Sequence, residues 1–238
     1  MLAARRRAFT LIELLVIVAI IAVLAALLLP ALRQSMDVAR RIACASNEHQ
    51  MSVAYYGFAN DYDGALPLGY AGSAPVKQGS YDIYRSGRYV NFGALYREHF
   101  VGDIHIFYCA GQTNPQFMFD TSENGWPDTR TRAAYNSRPD FHWSADLSDE
   151  EYDNHDYSDL PRVDKYQPNQ ALVSDVMRVV NDIEKAHVGK GINLLKADGA
   201  VRWRGINDGD YAAILKTITR QSSTRNAQWQ NLWLEYDQ

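Results

Sequence analysis

The hydrophobic pattern of the chain changes twice. From Leu14 to Leu29 sixteen consecutive residues are apolar, and from Phe9 to Leu32 only Thr10, Glu13 and Pro30 interrupt. As a helix this 24-residue stretch is about 36 Å long, enough to cross a hydrocarbon core of about 30 Å. The pattern then turns amphipathic. Met36, Ala39, Ile42, Ala43, Met51, Ala54, Tyr55 and Phe58 recur at helical spacing, with Arg40, Arg41, Asn47, Glu48 and Gln50 on other faces. One helix is expected over about residues 9–60, membrane-spanning over 9–32 and amphipathic over 33–60, with Pro30 as a point of kinking. Gly64 in Asn60-Asp61-Tyr62-Asp63-Gly64 ends it, with Pro67 beyond.

After residue 64 the apolar runs become short and turn residues separate them. Residues 65–90 are punctuated by Gly69, Gly72, Pro75, Gly79 and Gly87. Residues 89–96 read as a short helix or strand. Residues 104–109, 133–137 and 171–176 read as strands. Residues 191–196 and the strand starting at Val201 form a hairpin around Ala197-Asp198-Gly199. A helix is expected over 210–218, capped by Asp208 or Asp210, and a tail carrying Trp229, Leu232 and Trp233 is expected to return to the head. This is an α+β pattern: a long N-terminal helix packed on a small antiparallel sheet, with a globular head over 61–238. Nine acidic residues between Asp140 and Asp164 mark a surface insertion at about 140–165.

Composition narrows the picture. A net charge of −4 and a pI near 5.9 point away from nucleic-acid binding. Fifteen tyrosines and five tryptophans exclude a disordered stalk. The tyrosines dense between Tyr55 and Tyr96 form either the layer between helix and sheet or a partner or glycan surface; the core reading is preferred. Arg5, Arg6 and Arg7 precede the apolar run with no acidic residue before Glu13, which places residues 1–8 in the cytoplasm and the head across the membrane. A cleaved signal peptide is the competing reading of the same stretch. The unbroken apolar run without a polar cleavage region favours a retained helix. Glu13 costs roughly 3 kcal/mol at mid-membrane, so it either reaches the headgroups or meets a positive partner.

Ala8-Phe9-Thr10-Leu11-Ile12-Glu13-Leu14-Leu15-Val16 resembles the processing site of type IV prepilins and type II secretion pseudopilins. The basic leader, the apolar helix and Pro30 fit the same pattern. The resemblance implies a pilin-like fold, a cut between Ala8 and Phe9 by a prepilin peptidase, and N-methylation of Phe9. It also implies that Glu13 contacts the new N-terminal amine of a neighbouring subunit in a filament. The chain departs from the family in having Ala8 where Gly usually precedes the cut. A second resemblance lies near the C-terminus. Large planctomycete-type pilin-like proteins carry a His, nine residues, then Asp-Gly; here ten residues separate His187 from Asp198-Gly199. Asn60–Gly64, Phe107-Tyr108-Cys109 and Val173-Ser174-Asp175 also resemble parts of that family.

Candidate chemistry is sparse. Cys44 and Cys109 pair in an oxidising compartment or stay separate buried thiols, and a bridge would stabilise by roughly 4 kcal/mol. Two cysteines without metal spacing predict no zinc site. His187 and Asp198 lack any accompanying nucleophile motif. Asp198-Gly199 is explained as turn chemistry and His187 as a bond across the hairpin. Asp149, Glu151 and Asp153, with Glu150, Asp156 and Asp159, supply oxygens for calcium but not at EF-hand spacing, so a solvated loop is the expected reading. His142 and His155 with nearby carboxylates are a fainter metal candidate, and Asp61-x-Asp63-Gly64 a fainter calcium one. No cofactor is expected beyond that calcium option, and no enzyme activity.

The expected function is that of a structural subunit of a type IV pilus-like or type II secretion pseudopilus filament. Its implied partners are a prepilin peptidase, copies of itself, other pilin-like subunits, an inner-membrane assembly platform and the bilayer. The implied location is the inner membrane, single-pass, with a periplasmic head that enters a filament after processing. The alternative is a membrane-anchored periplasmic enzyme or glycan-binding protein using the helix only as an anchor.

Overall fold

The computed structural model describes residues 10–67, 81–85, 87–127, 130–138, 162–175, 185–208, 233–234 and 236–237. The chain divides into two compact units, Met1–Ala39 and Arg40–Gln238. One helix, α1, covers Leu11–Asp61 and is continuous through Pro30. The missing proline N–H removes one intrahelical bond.

In the first unit the helix buries nothing of its own. The large apolar side chains from Leu11 to Leu32 are exposed, and the stretch is long and apolar enough to cross a membrane by length and composition. So extended an apolar surface marks contact with lipid or partner.

In the second unit the same helix has a buried stripe. Cys44, Glu48, Met51, Ser52, Tyr55, Phe58 and Ala59 lie at the three- and four-residue spacings of one face. The helix then ends as expected. Gly64 sits at φ 86°, and its N–H donates to the Ala59 carbonyl at 2.6 Å.

Two antiparallel sheets follow. Strands β1 (Asp82–Arg85), β2 (Arg88–Tyr89) and β3 (Arg130–Arg132) form one, in the order β2-β1-β3. Strands β4 (Tyr135–Ser137), β5 (Ala171–Asp175), β6 (Gly191–Lys196) and β7 (Val201–Gly205) form the other, in that order. A short helix α2 (Phe92–Arg97) lies between β2 and the chain leading to β3. A long N-terminal helix with two small antiparallel sheets is an α+β arrangement consistent with a pilin-like fold.

The β6–β7 hairpin forms where the turn chemistry predicts it. The Asp198 carboxylate accepts from the Ala200 N–H at 2.9 Å, and Gly199 takes φ 82°. The expected strand over 104–109 is instead a 3-10 turn, Ile104–Phe107. Asp103 starts it by accepting from the His105 N–H at 2.9 Å. Ile104, Ile106 and Phe107 are buried, and His105 between them is exposed.

The helix expected over 210–218 lies outside the described residues, as do Trp229 and Leu232. Trp233 and Tyr236 are buried and meet edge to face at 5.3 Å. Asp237 forms two bonds to the Arg138 guanidinium, at 2.7 and 3.0 Å, and so anchors the chain end beside β4.

Candidate functional site

The N-terminal motif begins at the helix cap. The Thr10 N–H and hydroxyl both donate to Glu13 Oε2, at 2.9 and 2.8 Å. The Glu13 N–H donates back to the Thr10 hydroxyl at 3.2 Å. This reciprocal arrangement is a capping box, Thr-x-x-Glu, and it satisfies donors that a helix start leaves open. Glu13 thus has a local role that the charge argument alone missed, and the Thr10-to-Glu13 spacing was the signal for it. The carboxylate is exposed and has no cationic partner among the described residues. Ala8 and Phe9 lie outside the described residues. Pro30 stands exposed in the apolar stretch.

The head contains a second concentration of functional groups, and here the sequence reading was incomplete. Strand register places Tyr135, Asp175, Asn193 and Trp203 in one row across β4, β5, β6 and β7. Tyr135 opposes Asp175, and Asn193 opposes Trp203. Ser174 opposing Leu194 puts Asn193 beside Asp175.

The helix meets this row with Arg41, Cys44 and Glu48. The Tyr135 hydroxyl donates to the Cys44 carbonyl at 3.3 Å. The Asn193 amide donates to the Arg41 carbonyl at 3.2 Å. The Arg41 guanidinium lies 4.7 Å from the Trp203 ring centre. Cys44 is disulfide-bonded to Cys109, with 5.0 Å between their Cα atoms.

His187 joins the group from the segment ahead of β6. Its Nε2 lies 3.1 Å from Asp175 Oδ2 and 3.4 Å from Cys109 Sγ. It therefore does not bond across the β6–β7 hairpin as expected. Its polar partners come from β5 and from the segment after the 3-10 turn, while its ring meets Trp203 edge on at 5.4 Å. The backbone explains the difference. His187 and Val188 both have positive φ, 48° and 58°, which turns the ring inward. Asp198 is remote from this chemistry and works in the turn.

The site is buried and under-satisfied. Glu48 Oε1 and Oε2, Asp175 Oδ1 and His187 Nδ1 are buried without a hydrogen-bond partner among the described residues. Burial, reinforced by Asp175, holds the Glu48 carboxyl well above the usual carboxylate range. Burial, with Asp175 and Glu48 nearby, likewise raises the Tyr135 phenol. Two carboxyls buried together share the site more easily when one carries a proton.

The calcium candidates Asp149, Glu151 and Asp153 lie outside the described residues. So do Glu150, Asp156, Asp159, His142 and His155. Of the dense tyrosines, Tyr55 and Tyr81 are buried core, while Tyr84, Tyr89 and Tyr96 are half-buried. Tyr84 and Tyr96 each meet Tyr89 ring to ring.

A search of curated proteins and a search of solved structures both return no match. Residues 3–29 match the family model described as the prokaryotic N-terminal methylation motif. That motif, on an apolar helix long enough to cross a bilayer, supports a type IV pilin-like precursor of the kind cut by a prepilin peptidase.

Proposed function

We propose that the protein is a structural subunit of a pilus-like or secretion-pseudopilus filament and not an enzyme. In this reading a prepilin peptidase cuts between Ala8 and Phe9, Phe9 is N-methylated, and the helix then packs among the helices of other subunits. Before and during assembly the helix anchors the chain in the inner membrane, with residues 1–8 cytoplasmic and the head periplasmic. The observation that carries the reading is Glu13. It is a carboxylate on an exposed apolar helix, inside the matched motif, with only Thr10 as a described partner. In lipid such a group gains most from a cation, and the amine of a neighbouring processed subunit supplies one. Pro30 and the exposed apolar face supply the packing surface, where association rests on van der Waals contact.

Two measurements test this. The mass of the membrane-extracted protein is expected to lack residues 1–8 and to carry one added methyl. Glu13→Ala is expected to abolish filament assembly while the chain still inserts and its head still folds. An intact N-terminus in cells containing prepilin peptidase, or normal filaments from the variant, would sink the proposal. In that case the helix is only an anchor, and the head acts alone.

A further inference from the structure

The ligand atoms of Cys44, Cys109, Asp175 and His187 all lie within 4.8 Å of one another, and all four residues are buried. Two soft sulfurs, an imidazole nitrogen and a carboxylate oxygen are a donor set for a thiophilic divalent metal. We propose that these four side chains are a redox-alternative site. Oxidised, Cys44 and Cys109 form the disulfide; reduced, the four residues bind one zinc-like ion tetrahedrally.

The geometry needs little rearrangement. With bonds of about 2.3 Å to sulfur and about 2.0 Å to nitrogen and oxygen, tetrahedral ligand atoms sit roughly 3.3–3.8 Å apart. His187 Nε2 is already 3.4 Å from Cys109 Sγ and 3.1 Å from Asp175 Oδ2. The main movement is separation of the two sulfurs once their bond is broken.

Supporting bonds are also in place for Cys109 and Asp175, and the backbone fixes His187. The Gly111 N–H donates to Cys109 Sγ at 3.3 Å, a bond that favours thiolate. The Asn193 N–H donates to Asp175 Oδ2 at 2.7 Å and fixes that carboxylate. The Gly111 carbonyl accepts from the His187 N–H at 3.0 Å and holds the strained turn that aims the ring. Asp175 Oδ1 is buried without a hydrogen-bond partner among the described residues, which leaves a second carboxylate oxygen for ligation.

The chemistry balances with a phosphine reductant. The Cys44–Cys109 S–S bond breaks and two S–H bonds form. Phosphorus is oxidised to phosphine oxide, taking its oxygen from one water that also supplies the two protons. Metal binding then displaces both thiol protons to solvent.

The test uses the full chain in detergent, reduced with phosphine without air, and titrated with cobalt(II). One equivalent is expected to produce sulfur-to-cobalt charge-transfer and tetrahedral ligand-field bands, which zinc then abolishes. The unreduced chain is expected to show neither. His187→Gln and Asp175→Asn are each expected to weaken cobalt binding at least tenfold and to shift the ligand-field bands. Bound zinc is expected to slow re-formation of the disulfide in air. Absence of the bands in the reduced wild-type chain overturns the proposal. Bands of unchanged position and affinity in both variants overturn it too, since the cysteines would then bind without the other two ligands.

Discussion

Glu48 is a carboxyl without a hydrogen-bond partner among the described residues. Both its oxygens are buried, burial raises its proton affinity, and Asp175 close by raises it further. The sign of the pH effect follows. In the unfolded chain a glutamate titrates near pH 4.3. In the folded head Glu48 keeps its proton to higher pH, so the folded state binds more protons above that value. Its contribution to stability is greatest at or below about pH 4.3 and is lost as pH rises towards its folded pKa. Glu48→Gln removes this dependence. The difference in melting temperature between variant and wild type is therefore expected to grow in the variant's favour from pH 5 to pH 7. A constant difference across that range would show that Glu48 is ionised in the folded head.

A second residue-scale constraint is steric. A Cβ on Gly93 would lie 1.9 Å from the Ile83 carbonyl oxygen, a backbone atom that cannot swing away. Gly93→Ala is expected to destabilise the head by about 3 kcal/mol, read from denaturant unfolding. Nothing in the local sequence announces this, because the clash comes from β1, ten residues earlier.

At the scale of elements, the disulfide ties α1 to the segment after the 3-10 turn across 65 residues of sequence. Closing so long a loop in the unfolded chain is worth roughly 4 kcal/mol in the chain-entropy picture. Cys44→Ser is expected to lower head stability by about that much, and phosphine reduction of the wild type by a similar amount in metal-free buffer. A far smaller loss would mean that the unfolded chain already keeps these segments together.

The elements also differ in how clearly the sequence announces them. α1 and the β6–β7 hairpin are legible because periodicity and turn residues agree. The run from Ile104 to Phe107 misleads because apolar, β-branched residues suggest a strand. The Asp103 cap makes it a 3-10 turn instead, with His105 exposed between buried neighbours. Asp103 ahead of the run is the local signal for that turn, and the apolar residues after it mask the signal.

At the scale of the whole molecule, the buried stripe of α1 begins at Cys44, well after the apolar stretch that buries nothing. A chain starting near residue 34 is therefore expected to fold as a soluble head. Its far-UV spectrum should match that of the full chain's head, and thiol titration should find no free cysteine. Aggregation of that chain with free thiols would show that the head depends on the preceding helix.

Local order along the chain determined the membrane-competent helix, the methylation motif, the helix stop at Gly64 and the final hairpin. Each rests on neighbours within a few residues, where spacing and turn chemistry act directly. Only the tertiary structure decided that Cys44, Glu48, Cys109, Asp175 and His187 share one buried site. They come from four separate segments, and strand register together with the inward turn at His187 and Val188 brings them together. Pairings across so many residues depend on how the strands align and how the helix docks, and local sequence carries no record of either.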